Sequence, residues 1–189
     1  ADTLTDFADG ADSFGLDGSL TFSALTISQS GNDVVIQEGA DTLVTVSDAL
    51  LASITAVDFQ STSTDPLSLS GSSANDTLIG GSGDDTFNAG AGSDTLYGWG
   101  GDDTFNITGK SGSYTDVING GTGTNVLNVS YVSSGLNDFT ISEIPTSDTA
   151  ITLTDASGGQ IQFSNILDYT YTSGAAGYWD GSITVNSKA

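Results

Sequence analysis

Between Gly71 and Asn128 the chain repeats one nine-residue pattern. Its clearest copies are GGSGDDTFN at Gly80–Asn88 and GWGGDDTFN at Gly98–Asn106. GSSANDTLI precedes them from Gly71, and AGAGSDTLY separates them from Ala89. After Ile107-Thr108 comes a stretched unit, GKSGSYTDVIN, from Gly109 to Asn119; GGTGTNVLN closes the block. An acid holds the sixth place as Asp76, Asp85, Asp94 and Asp103, then as Asp116 after an insertion, and Asn125 takes that place last. Two places further on the residue is always apolar: Leu78, Phe87, Leu96, Phe105, Ile118 and Leu127. A flexible Gly/Asp linker has no physical reason to keep that register.

The residue types explain the spacing. Glycine reaches backbone angles that L-residues avoid, so the Gly-rich half makes a tight turn. The other half is a very short strand whose central side chain points inward. Turn plus strand makes half a coil. Two nonapeptides make a full coil, and alternate units stack at about 4.8 Å. The spacing therefore predicts an all-β chain built on a parallel β-roll (a β-solenoid) with β-rich caps on both sides. Asp76, Asp94 and Asp116 line one edge of it; Asp85, Asp103 and Asn125 line the other. Carboxylates stacked so closely call for a counter-ion. Carbonyls turned inward by glycine add hard oxygens, and such oxygens in flexible geometry suit Ca²⁺, bound at about 2.3–2.6 Å. Asp84 and Asp102, at the fifth place, are expected to face solvent.

Charge narrows the function classes. Against 24 Asp+Glu stand 2 Lys+Arg, a net charge of -22. No basic patch exists for nucleic acid or anionic lipid. A hydrophobic share of 37% argues against disorder. With no Cys and no His, Ser–His and Cys–His nucleophilic pairs are impossible. A Ser–Lys pair would need Lys110, in the repeat insertion, or Lys188, near the last residue; both are expected to be exposed. A glycosidase-type carboxylate pair is compatible with the composition, but the acids are better explained as ligands. The chain is therefore not expected to be an enzyme. Thr77, Thr86, Thr95 and Thr104 raise the idea of an ice-binding ladder; Val117 and Val126 interrupt it, and strand propensity accounts for the threonines. No apolar run approaches the roughly 20 residues of a transmembrane helix.

The repeat block resembles the RTX (repeats-in-toxin) family, whose nonapeptide is GGxGxDxUx. Gly80–Asn88 matches at every place, whereas Ser72, Ala74, Ala89 and Trp99 replace glycines and Asn125 replaces the last acid. The resemblance implies a parallel β-roll with two to four Ca²⁺ ions held between stacked loops. It implies side-chain ligands at Asp76, Asp85, Asp94, Asp103, Asp116 and Asn125. It implies loop ligands at Gly71, Ser73, Gly80, Ser82, Gly83, Gly90, Gly92, Gly98, Trp99 and Gly101. It also implies a folding switch: the roll stays open at low cytosolic calcium and closes in millimolar extracellular calcium.

Three segments are expected. Residues 1–70 form a β-rich part with one short helix at about 47–58, residues 71–128 the roll, and residues 129–189 a C-terminal β cap. Strand-like alternation marks Leu20–Phe22, Leu25–Ile27, Val34–Ile36 and Thr42–Val46. Ser47, as a cap, and Leu50, Leu51, Ile54 and Val57, at helical spacing, suggest the helix. Residues 60–70 read as a connector holding Pro66. The segment Asp2–Gly18 resembles one that often follows an RTX roll, yet here it comes first. Two explanations stay open: the chain is a piece of a longer protein, or this segment docks onto a neighbouring copy, since an open roll end is an exposed strand edge. Gly158–Ile166 resembles part of the cap that follows many rolls. Tyr178 and Trp179 fall in an irregular or edge segment.

The function expected is that of an extracellular, calcium-stabilised structural protein at a bacterial surface: a subunit of a surface layer, sheath, filament or adhesin. Its partners would be calcium and copies of itself, in head-to-tail or sheet assembly. The alternative is a secretion and folding module of a longer RTX enzyme or toxin exported by a type I system.

Overall fold

The computed structural model describes residues 1–18, 20–131, 140–141, 151–155, 158–166 and 168–173. The chain divides into two compact units, Ala1–Thr62 and a second that begins at Ser63.

The first unit holds β1 (Asp2–Leu4), β2 (Phe14–Leu16), β3 (Leu25–Ser30), β4 (Asp33–Glu38), β5 (Asp41–Val46) and β6 (Phe59–Ser61). Strands β3, β4 and β5 form an antiparallel meander, and β1 adds in parallel to β5. Gly31 and Gly39 make the two meander turns with φ of 66° and 59°, which suits glycine. The period of two buries Val34, Ile36 and Val46 on one face. Strand β2 pairs in parallel with β6, and the Phe14 ring stacks on those of Phe7 and Phe59 at 5.2 and 5.1 Å. The Asp2–Gly18 segment thus supplies two strands to its own unit.

The short helix expected over 47–58 does not form. Its place is taken by two 3-10 turns, Leu51–Ser53 and Ala56–Asp58. The reason is local. The Asp58 carboxylate accepts hydrogen bonds from the Thr55 amide at 2.7 Å and the Thr55 hydroxyl at 3.2 Å, which starts a new turn instead of continuing the first. Ile54 is buried, while Leu50 is 72% exposed, so the apolar spacing does not mark one buried face. Phe22 likewise lies in a 3-10 turn, Phe22–Ala24, and not in a strand.

The second unit holds β7 (Ser68–Ser70), β8 (Thr77–Ile79), β9 (Thr86–Asn88), β10 (Thr95–Tyr97), β11 (Thr104–Thr108), β12 (Thr115–Asn119) and β13 (Val126–Tyr131). Beyond them lie β14 (Thr140–Ile141), β15 (Ile151–Thr154), β16 (Gln160–Ser164) and β17 (Asp168–Ser173). One sheet runs β8-β10-β12-β16 in parallel, extended by antiparallel β15 and β14. The other runs β7-β9-β11-β13-β17, all parallel. Thr95 faces Thr77 and Val117, and Thr104 faces Thr86 and Val126. Alternate repeats stack, as the nine-residue spacing predicts, and the unit is a parallel β-roll. The eighth-place residues fill its interior: Phe87, Leu96, Phe105, Ile118 and Leu127 are buried, and Leu78 packs against them half-buried. The Phe87 and Phe105 rings stack at 4.6 Å.

The roll begins earlier than the repeat. Leu69 of β7 lies opposite Phe87, so residues 63–70, read as part of a connector, make a first half-coil with Leu67 where the repeat carries its sixth-place acid. The boundary expected at 70/71 therefore falls at Thr62/Ser63. At the other end Ile161 and Phe163 of β16 are buried beside β12, continuing the roll into the expected cap. Tyr178 and Trp179 lie outside the described residues.

Candidate metal centre

Three of the loops turn at the second place of the repeat. There Gly90 and Gly121 take φ of 84° and 77°, and Trp99 is held at 70°, a region a side chain seldom adopts. The turn brings the sixth-place side chain in under its own loop. It also sets up two ladders of opposite direction. The sixth-place groups reach back one coil: Asp94, Asp103, Asp116 and Asn125 accept from the amides of Asp76, Asp85, Asp94 and Asp103 at 2.9–3.0 Å. The fifth-place groups reach forward: Asn75 accepts from the Ser93 amide, Asp84 from Asp102 and Asp102 from Thr124, at 2.7–2.8 Å. Asp84 and Asp102 are exposed, as expected.

Along one edge stand Asp85, Asp103 and Asn125, all buried. Asp85 is satisfied by the Leu67 and Gly81 amides, each at 2.8 Å. Asn125 donates from its amide nitrogen to the Asn165 carbonyl at 3.0 Å. Between them, Asp103 keeps one carboxylate oxygen, Oδ2, buried and without a hydrogen bond. Burial first, and then the charges of Asp85, Asp84 and Asp102, push its carboxyl from 3.8 up to about 7 against the pull of the Asp85 amide. Gly80 and Gly98 are obligatory here. A Cβ on Gly80 would lie 2.5 Å from Asp85 Oδ2 and 2.7 Å from the Gly98 carbonyl, and one on Gly98 would collide with Asp103.

Along the other edge stand Asp76, half-buried, and Asp94 and Asp116, both buried. The Ser72 amide and hydroxyl bond Asp76 at 2.6 and 3.0 Å. Between Asp94 and Asp116 lies an ammonium. Lys110, expected to be exposed, is 3% exposed; its Nζ donates to Asp94 Oδ2 at 2.6 Å, Asp116 Oδ1 at 2.9 Å and the Gly92 carbonyl at 3.0 Å. The stretched unit is what permits this. Four more residues separate Asp94 from Asp116 than separate Asp76 from Asp94, since the amide-to-carboxylate spacing is 22 and not 18. The longer loop folds the lysine back over the column. Burial raises the Asp116 carboxyl, opposed by the Asp94 amide and by Lys110.

These positions test the expected ligand set. All its donors are hard oxygens, and the unpartnered oxygen of Asp103 sits where a divalent cation would balance it, so the Asp85–Asp103 edge fits calcium. Among the described residues no three acidic side chains converge on one point, so loop carbonyls must supply much of any shell. Gly71, Gly80, Gly83, Gly98 and Gly101 lie where loop backbones of successive coils approach. Ser73 and Ser82 are exposed. The Gly92 carbonyl is engaged by Lys110, and the Trp99 carbonyl by the Thr122 amide at 2.7 Å. Gly90 packs on the Ser72 carbonyl, which accepts from the Ala91 amide at 3.0 Å. Sequence reasoning missed Lys110; the signal was one cation in an otherwise acidic block.

Residues 70–105 and 111–129 match the RTX calcium-binding nonapeptide repeat, in four copies. No curated protein matches the chain. Among solved structures, the crystal structure of the extracellular lipase LipA from Serratia marcescens is similar at 16% identity and a TM-score of 0.35. That match covers 70% of this chain and spans 19% of the lipase chain.

Proposed function

We propose that this chain, which carries RTX calcium-binding nonapeptide repeats, is an extracellular structural subunit whose roll closes on calcium and then assembles with copies of itself. The observation that carries the calcium half is the Asp85–Asp103 edge, with its buried, unpartnered carboxylate oxygen. Bound calcium supplies the positive charge this edge lacks. The chain supplies the rest: glycines that leave room for the carboxylates, amides that orient one oxygen of each, and a core that fixes the coil spacing.

Two features support the assembly half. A parallel stack ends in strands whose outer side is a template for another strand, and β7 and β8 each have a single strand neighbour among the described residues. The two compact units each have a sheet of their own, which suits a building block. An extracellular setting suits the calcium reading, since calcium modules that work outside the cell bind at about 10⁻⁴–10⁻³ M, the range this chain is expected to share. A surface layer, sheath, filament or adhesin of a bacterium is the role this favours, with no catalytic part.

Sedimentation velocity in EGTA and then in millimolar CaCl₂ tests the reading. Calcium should turn an expanded monomer into large regular species. A compact monomer in calcium would overturn self-assembly and favour a folding module of a longer RTX protein. An unchanged, equally compact species in both buffers would overturn the calcium switch.

A further inference from the structure

We infer that Lys110 is a resident counter-ion: its ammonium takes the cation position between Asp94 and Asp116, so this edge closes without calcium and calcium is confined to the Asp85–Asp103 edge. The inference rests on the calcium-binding reading of the repeat block.

The coordination carries it. An ammonium has three donors and no acceptor. Those of Lys110 meet three oxygens, on Asp94, Asp116 and Gly92, at 2.6–3.0 Å. All three groups belong to the set the repeat pattern assigns to calcium. The lysine and both carboxylate side chains are 0% exposed, so the ammonium has no route to solvent without leaving its partners. A calcium ion at about 2.3–2.6 Å from the same oxygens would occupy the same space and repel the ammonium.

The surroundings suit an ammonium better than a calcium ion. Nζ lies 5.2 Å from the centre of the Tyr114 ring, and Tyr114 is buried. A π-face attracts an ammonium. Calcium wants six to eight oxygens, and that side offers ring carbon instead. The loop is built for the inward turn: Gly109 and Gly112, on either side of Lys110, take φ of 71° and 72°. The match to the calcium-binding repeat also breaks here, between residues 105 and 111. Each edge keeps one buried carboxylate oxygen without a hydrogen bond, Asp103 Oδ2 and Asp116 Oδ2, so the edges differ by the ammonium: one holds its own cation and the other, among the described residues, holds none.

Equilibrium dialysis of radioactive calcium against the full chain, wild type and Lys110→Met, tests this. The Met side chain keeps the stem and removes the charge. The variant is expected to bind one more ion per chain than the wild type, and to need calcium to order β10 and β12. Equal stoichiometry in the two proteins would overturn the inference. A wild type that binds no calcium overturns the reading of the Asp85–Asp103 edge instead, and the difference between the two proteins still decides the role of Lys110. If the variant does not fold, NMR of the calcium-saturated wild type decides. Slowly exchanging Lys110 ammonium protons with contacts to the Tyr114 ring are expected; a freely exchanging ammonium with none would overturn the proposal.

Discussion

Asn125 ends the column that holds Asp85 and Asp103, and it shows what a neutral group does there. Its oxygen keeps the bond from the Asp103 amide, and its nitrogen finds the Asn165 carbonyl. Asp103 has the first bond and lacks the second. Asp103→Asn should therefore raise calcium-free stability by on the order of 1–3 kcal/mol, the penalty of an unsatisfied buried group, while shrinking the gain on adding calcium. Thermal unfolding in EGTA and in CaCl₂ reads both effects. The pH dependence has a definite sign. The folded Asp103 carboxyl titrates at about 7, above the ordinary 3.8, so over that interval the folded chain holds a proton that the unfolded chain has lost. In EGTA this contribution is fully present below about 4 and is lost as pH rises to about 7; Asp103→Asn should remove it. The acids of this column were legible from their spacing, because a period of nine fixes both edge and orientation. The ammonium of Lys110 was not, because its place depends on how a non-repeating loop folds back.

At the scale of the element, the coil depends on backbone contact between loops. Gly90 has φ of 84°, and a Cβ there would run into the Ser72 carbonyl; Gly109 has φ of 71° with nothing within 4 Å of the added atom. Gly109→Ala should cost about 1–2 kcal/mol for the left-handed backbone alone. Gly90→Ala should cost clearly more, and urea unfolding of the two in calcium measures the gap. The strands of the roll were readable because each carries a turn, an acid and a core residue in fixed order. Residues 47–59 lacked that redundancy. Their apolar spacing fitted a helix, but the Thr55–Asp58 pair redirects the chain within one turn. β7 was missed for the opposite reason: Leu69 keeps the register nine residues before Leu78, but Leu67 stands at the acid's place and no glycine announces the turn.

At the scale of the whole molecule, charge is spread unequally in its consequences. In the first unit the one buried acid among the described residues is Asp58, and it is capped by Thr55. The acid columns belong to the second unit. Hydrogen exchange should therefore show amides of residues 63–131 exchanging much faster in EGTA than in CaCl₂, with those of residues 1–62 unchanged; equal change in both would overturn the separation. Because alternate repeats stack, heredity can lengthen this roll only in whole coils. A duplication of eighteen codons inserts one more coil and leaves every ladder intact. A slip of nine moves each downstream acid to the opposite edge, and only one that falls between Asp94 and Lys110 parts the lysine from Asp94, because Lys110 and Asp116 shift together.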